Sequence, residues 1–339
     1  LKNNNTKTTS VPARGSAFGQ AFVFGEHAVV YGRPALCAAI PGLTTTAYAK
    51  LFEMGEEKNP RVILKSALGK GLLFDDGKIV ARNNDLRLAV ESVAFIRESL
   101  GINEGLEVTI KSGIPPKSGL SSSSAFLVSA IRAVARAKGL HDLSDKRIFK
   151  IVFPLQKKIH GGRASGSEIV TSSRGGWAYI TGRPGKFKKV KTADGFFPEV
   201  VVGDTMVRTP TSVMVNKVAR RRMNDQEFVD GILDEIGGIS SSGRLAVENG
   251  DAELIGALMN ANQALLRTLG VSSPKLDSLT LSARLAGALG SKLTGGGGGK
   301  CMIALVPAEN PAAAKRIERG INRSGGKALG CFMLGDLRE

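Results

Sequence analysis

Ile114-Pro-Pro-Lys-Ser-Gly-Leu-Ser-Ser-Ser-Ser-Ala125 runs directly into Phe126-Leu-Val-Ser-Ala-Ile-Arg-Ala-Val-Ala-Arg-Ala-Lys138. The second segment repeats its apolar residues at helical spacing and stops at Gly139. Upstream, Leu106 to Lys111 alternates like a strand. The small residues therefore sit at a strand-to-helix transition. A helix N-terminus has unpaired amides and partial positive charge, and small side chains let an anion approach them. Serine hydroxyls add hydrogen bonds or a magnesium ligand. A serine-rich loop with a simple helix cap reads the same way, so this stretch alone leaves both readings open. It is not a Walker A loop, because G-x-x-x-x-G-K-[ST] does not fit.

Two further stretches interrupt apolar strands. In Phe24-Gly-Glu-His-Ala-Val-Val-Tyr-Gly-Arg-Pro-Ala35, Glu26 and His27 break an apolar run. A buried carboxylate is costly unless paired or bound to a ligand, so a Glu-His pair at a strand end is the plainer alternative. In Lys292-Leu-Thr-Gly-Gly-Gly-Gly-Gly-Lys-Cys301, five glycines precede a strand, which implies a close backbone approach or merely a flexible turn. There Lys300 has no role beyond solvation in the plainer case.

The remaining pattern is mixed. Strands are expected over 21–30, 176–181 and 301–307, and helices over 146–158, 224–249, 252–269 and 312–323. Gly250 and Gly270 close two of the helices. A boundary is expected within 180–215. The chain has 339 residues, 42 of them glycine, enough length for two lobes. Apolar residues make up 42%, which excludes disorder as the main state. No apolar run spans a bilayer, the first ten residues are too polar for a secretory signal, and three scattered cysteines favour a reducing, cytoplasmic setting. The net charge is +17, which points to anionic partners. Aromatics are only 5%, too few for stacking on single strands, and no nucleic-acid-binding signature is legible.

Together the three motifs resemble the galactokinase, homoserine kinase, mevalonate kinase and phosphomevalonate kinase (GHMP) superfamily, with mevalonate kinases the nearest branch. His160 to Gly176 looks like its H-G-x-P-S-G-x-D…G-G segment, and Asn262 to Ser272 has its character. The matches run from 16 to 305. The resemblance implies an α+β, two-lobed fold: a ribosomal-protein-S5-like lobe over 11–190 and a ferredoxin-like lobe over 191–339. It implies transfer of the γ-phosphate of ATP, with Mg2+, to the 5-hydroxyl of a mevalonate-type acceptor. Lys117, Ser118, Gly119, Leu120, Ser121, Ser122, Ser123 and Ser124 would face the ATP phosphates. Glu26, His27, Arg163, Ser165, Thr294 and Gly295 would bind the acceptor. Ser123 would hold the metal, with Gln156 a poorer second ligand.

The departures carry equal weight. The family's catalytic Asp is Glu168, the Lys that it places beside that Asp is Gln20, and a metal-ligand Glu is Gln156. Lys117 and Ser121 stand where glycines are usual, and Arg163 enters a turn lengthened by one residue. Residues 183–222 hold ten Lys or Arg against three Asp or Glu. These changes favour a more anionic acceptor, such as mevalonate 3-phosphate, the substrate of a 5-kinase of some archaea. The basic stretch reads equally as a solvated face. Ordinary mevalonate 5-kinase is the alternative, followed by a catalytically silent metabolite-binding relative, and last a nucleic-acid binder. The expected partner is a small phosphorylated or carboxylate substrate, with no nucleic acid or membrane and a homodimer allowed.

Overall fold

The computed structural model describes residues 11–54, 59–159, 162, 164–182, 185–310 and 312–335. Two strands open the chain, β1 (Ala13–Phe24) and β2 (Ala35–Phe52), joined by a 3-10 turn at Ala28–Tyr31. Then come β3 (Val62–Ser66), β4 (Gly69–Leu73), β5 (Ile79–Val80), α1 (Asn84–Ser99) and β6 (Gly105–Ser112). Three helices follow, α2 (Ser122–Ala137), α3 (Asp145–Ile159) and α4 (Ser167–Arg174). Strands β7 (Trp177–Thr181), β8 (Lys186–Val190) and β9 (Glu199–Asp204) lead into α5 (Thr211–Asn224), α6 (Gln226–Asn249), α7 (Ala252–Thr268) and α8 (Pro274–Leu285). The chain finishes with β10 (Gly290–Leu293), β11 (Cys301–Leu305), α9 (Ala312–Arg323) and β12 (Lys327–Met333). No helix among the described residues is long and apolar enough to cross a membrane.

The chain forms two compact units. The first comprises 1–17, 45–112 and 126–152. Here β4 joins β5 and β3, β3 runs parallel to β6, and β6 pairs with Thr45–Phe52 of β2. Helix α1 is capped by Asn83, whose side chain accepts from the Leu86 amide at 2.9 Å, and covers β3 and β4.

The second unit comprises 18–44, 113–125 and 153–339. Ala35 to Ile40 is buried without a break, the mark of a strand covered on both faces. Ala35–Ala38 of β2 pairs with β7, and β7 with β8. A second sheet has the order β10-β11-β9-β12, all antiparallel. Its apolar face packs on α6, α7, α8 and α9 through Val201, Leu233, Leu266, Leu279, Met302 and Ile317. Asp225, Asp251 and Ser273 cap α6, α7 and α8, and Gly250 ends α6 in the left-handed region. These contacts define units that are not the sequence division 11–190 and 191–339, which stays a proposal.

Several expectations need correcting. β1 ends at Phe24 rather than continuing to 30, because Gly25 at φ 95 turns the chain against Ala35, where a Cβ would lie 2.4 Å away. The expected helix over 224–249 starts at Gln226, since Asp225 leaves helical geometry to cap it. The boundary expected within 180–215 stays an expectation; that stretch contains the strands β8 and β9.

Candidate active site

The serine-rich segment lies entirely in the second unit and is held by its backbone. Gln20 N donates to Leu120 O at 3.2 Å, and Cys301 N donates to Ser118 O at 3.0 Å. The loop thus hangs between β1 and the start of β11. Ser118, Leu120 and Ser124 are fully buried, Lys117 is exposed, and Ser122 and Ser123 are half-buried at the first turn of α2. This loop meets the glycine loop backbone to backbone. A Cβ on Gly119 would lie 2.8 Å from Thr294 O, and one on Gly295 would lie 2.7 Å from Gly119 O. Only glycine permits that approach.

Backbone strain collects in the same place. Among the described residues, the non-glycine positions with positive φ are His27, Lys117, Ser121, Met206 and Lys300, so four of these five lie in the three motifs. Each costs on the order of 1 kcal/mol and persists where the surroundings impose it.

Glu168 sits in the first turn of α4, whose N-terminal turn is tightened by Ser165, with its hydroxyl 2.8 Å from that of Ser167. Glu168 Oε2 accepts from Ser124 Oγ at 3.1 Å and from Gln156 Nε2 at 2.9 Å. Gln156 Nε2 also donates to Ser124 Oγ at 2.9 Å. One carboxylate is thereby fixed against the N-terminal turn of α2. Around it lie buried polar atoms without a hydrogen-bond partner among the described residues: Gln156 Oε1, Ser121 Oγ and both amide atoms of Gln20. Such atoms are costly inside a fold, and a ligand or water can complete their bonding.

Two lysines frame the glycine loop. Lys292 is fully buried, ion-paired with Glu26, and donates to Leu293 O at 2.6 Å. The other oxygen of Glu26 accepts from Asn262 Nδ2 at 3.1 Å. Burial pushes the Glu26 carboxyl up and the Lys292 ammonium down, and their mutual attraction opposes both shifts. His27 hydrogen-bonds Gly296 O at 3.1 Å. Burial lowers its pKa to about 4, with Lys300 adding to the effect, so the ring is neutral near pH 7. Lys300 is 2% exposed, and its Nζ donates to Thr211 Oγ1 at 2.7 Å. Burial lowers its pKa to about 8, while Glu168 pulls the other way.

The structure brings Glu168, Gln156 and Ser124 together, and joins Gly119 to Thr294 and Gly295. Thr294 Oγ1 is turned to Phe22 O at 3.1 Å, and the Glu26 carboxylate is committed to Lys292 and Asn262. Arg163 and His160 lie outside the described residues. Lys292, Asn262 and Lys300 escaped the sequence reading as site residues. The signal available for Lys300 was its position, a lysine closing a run of glycines before a strand. Much of the basic stretch serves the fold. Arg208 pairs with Asp204 at 2.5 Å and Arg222 with Asp230 at 2.7 Å, while Lys217 and Arg221 donate to Gly270 O and Thr268 O.

No group of three or more His, Cys, Asp or Glu able to hold a metal occurs among the described residues. The donors at the loop are the hydroxyls of Ser122 and Ser123, the unpartnered Gln156 Oε1 and the Glu168 carboxylate. That set fits a magnesium ion that takes most of its ligands from phosphates and water, not a site built by protein alone.

Known proteins place the chain among relatives. The models of the GHMP kinases N-terminal domain and the GHMP kinases C-terminal domain match residues 87–176 and 244–327. The mevalonate kinase of Pyrococcus furiosus is 36% identical over 317 residues, 89% of this chain and 91% of that one. The structure of Methanococcus jannaschii mevalonate kinase aligns with a TM-score of 0.76 at 27% identity, covering 98% of this chain and 100% of that one. The L. major mevalonate kinase solved with R-mevalonate gives 0.79 at 23% identity, over 99% and 98% of the two chains, a likeness of fold.

Proposed function

The chain belongs to the GHMP kinases, and from that premise we propose that it phosphorylates the 5-hydroxyl of a mevalonate-type acceptor at the expense of ATP, with mevalonate 3-phosphate favoured as that acceptor. The observation that carries the kinase reading is the carboxylate of Glu168, held by Ser124 and Gln156 against the first turn of α2. The N-terminal amides of that turn, with the hydroxyls of Ser122 and Ser123, would receive phosphate oxygens. Glu168 orients the acceptor hydroxyl and takes its proton. The acceptor oxygen bonds to the γ-phosphorus as the bond to the β,γ-bridging oxygen breaks and ADP leaves. Such a transfer depends chiefly on alignment and charge stabilisation. Ser123, with Gln156 Oε1 as a poorer second ligand, would hold magnesium, which would neutralise phosphate charge when bound.

The phosphorylated acceptor is favoured by cations where the family carries glycine or a shorter turn, Lys117 and Arg163, and by amides at 20 and 156. The internal use of Arg208, Lys217, Arg221 and Arg222 takes away part of the support that the basic stretch offered. Mevalonate itself is the second reading, favoured by the 36% identity to a protein named mevalonate kinase. An ADP-release assay with mevalonate, mevalonate 3-phosphate and mevalonate 5-phosphate separates them. The highest kcat/KM is expected with mevalonate 3-phosphate. A preference for mevalonate establishes the second reading, and no turnover above the ATPase background with any of the three sinks the kinase.

A further inference from the structure

We propose that Lys300 is a catalytic residue of this kinase, its ammonium facing the transferring phosphoryl group in place of the charge that Gln20 does not provide. The inference rests on the kinase reading given above and adds to it the source of the positive charge.

Geometry comes first. The Lys300 side chain threads between the two loops that meet at the site. A Cβ on Gly119 would sit 3.5 Å from its Cδ, and a Cβ on Gly296 would sit 3.2 Å from its Nζ. The stem therefore passes the serine loop, and the ammonium ends beside Gly296 of the glycine loop and Thr211. Of its three N–H donors, one is spent on Thr211 Oγ1. Among the described residues no carboxylate forms an ion pair with it, although it is 2% exposed. An ammonium buried without a counter-ion costs several kcal/mol unless something arrives to satisfy it. An anion with several oxygens, such as a phosphoryl group, is what those donors can receive.

The second observation is strain. Lys300 has φ 66, a conformation natural to glycine, at the end of five glycines. A sixth glycine would be easier for the backbone by about 1 kcal/mol. Strain and an unneutralised charge at one position indicate that the side chain has a task there.

The third is the surroundings. The favourable electrostatic partner that weighs most on Lys300 is Glu168, the group assigned to the acceptor proton. On β1, Gln20 is fully buried with both amide atoms unpartnered, and it carries no charge. The positive charge of the site thus sits beside the glycine loop rather than on the first strand. A cation placed on the charge that develops in transfer contributes directly to the barrier.

The test uses the full chain with Lys300→Met and Lys300→Gly. The glycine variant removes the ammonium and relaxes the backbone, so it should fold even where the methionine variant does not. The expected result is a loss of kcat of about a hundredfold or more in each folded variant, with the melting temperature of Lys300→Gly unchanged or raised. A loss of kcat below about tenfold in a folded variant overturns the proposal. Binding of inorganic tripolyphosphate, measured calorimetrically, keeps the two readings apart. If the wild type turns over none of the three acceptors, the kinase reading fails. A tripolyphosphate affinity at least tenfold weaker in the variant then still supports an ammonium-phosphate contact, and an unchanged affinity removes that contact as well.

Discussion

Lys292 and Lys300 bracket one glycine loop, and both are buried, yet the fold treats them oppositely. Lys292 is neutralised from within: Glu26 pairs with it and Asn262 holds Glu26. Lys300 has one hydroxyl in hydrogen-bond contact, no carboxylate at ion-pair distance among the described residues, only the longer-range pull of Glu168, and a strained backbone beneath it. The lesson is that burial of a charge does not by itself indicate function. What separates the two lysines is whether the protein brings its own counter-ion.

Four experiments break or sharpen that contrast. The largest effect is expected from Lys292→Met, which strands the Glu26 carboxylate in the core. Loss of a partner from such a pair costs about 3–5 kcal/mol, read as a shift of the denaturation midpoint. Adding Glu26→Gln should recover a good part of it, and an undiminished loss in the double variant would show that packing rather than charge is responsible. Next comes Glu168→Gln. Turnover should fall by about two orders of magnitude or more while the denaturation midpoint barely moves. Near-normal turnover would remove Glu168 as the proton acceptor.

The third experiment is pH. The groups that act on the Lys300 ammonium are Glu168 on α4, Arg208 after β9, Cys301 on β11 and His27 after β1. With its pKa lowered from 10.5 to about 8, the lysine loses its charge early. kcat/KM should fall by about tenfold per pH unit above that value, and Lys300→Gly should lack this limb. Stability should move the other way. From about pH 8 to 10.5 the unfolded chain keeps a proton that the folded chain has released, so the group's contribution to stability rises with pH. Below pH 8 both states hold the proton and its penalty on the fold is complete. An alkaline limb that survives in the variant would assign it to another group. The smallest effect belongs to Lys117→Ala on the exposed side of the serine loop. It should raise KM for mevalonate 3-phosphate several-fold, on the scale of an exposed ion pair, and leave KM for mevalonate nearly unchanged. Equal effects on both would separate Lys117 from acceptor recognition.

Much of this was legible in the residues. The helix after the serine loop, the glycines closing α6 and following α7, and α9 itself each have a local cause, either apolar spacing or a stop residue. β2 was harder, because its first half is buried on both faces and lacks alternation. α1 and α8 are outside the helices expected from apolar spacing, though Asn83 and Ser273-Pro274 are sound start signals. In the site, the resemblance led to Glu168 and Gln156, and the structure joined them through Ser124. The Glu26–Lys292 pair joins positions 266 residues apart, and no local pattern announces such a contact. Lys300 was passed over for a related reason: a lysine after glycines looks like surface until the loop opposite is in place to bury it.

The left-handed backbone at 300 has an evolutionary side. Most of the amino-acid alphabet is excluded there, since any side chain bears the conformational penalty and few return anything for it. Glycine and lysine are left as rival solutions. A library screened for heat resistance should drift to glycine, and one selected for growth that depends on the enzyme making its product should return to lysine. The two screens would disagree at this codon, and their disagreement would measure what the charge is worth to the cell.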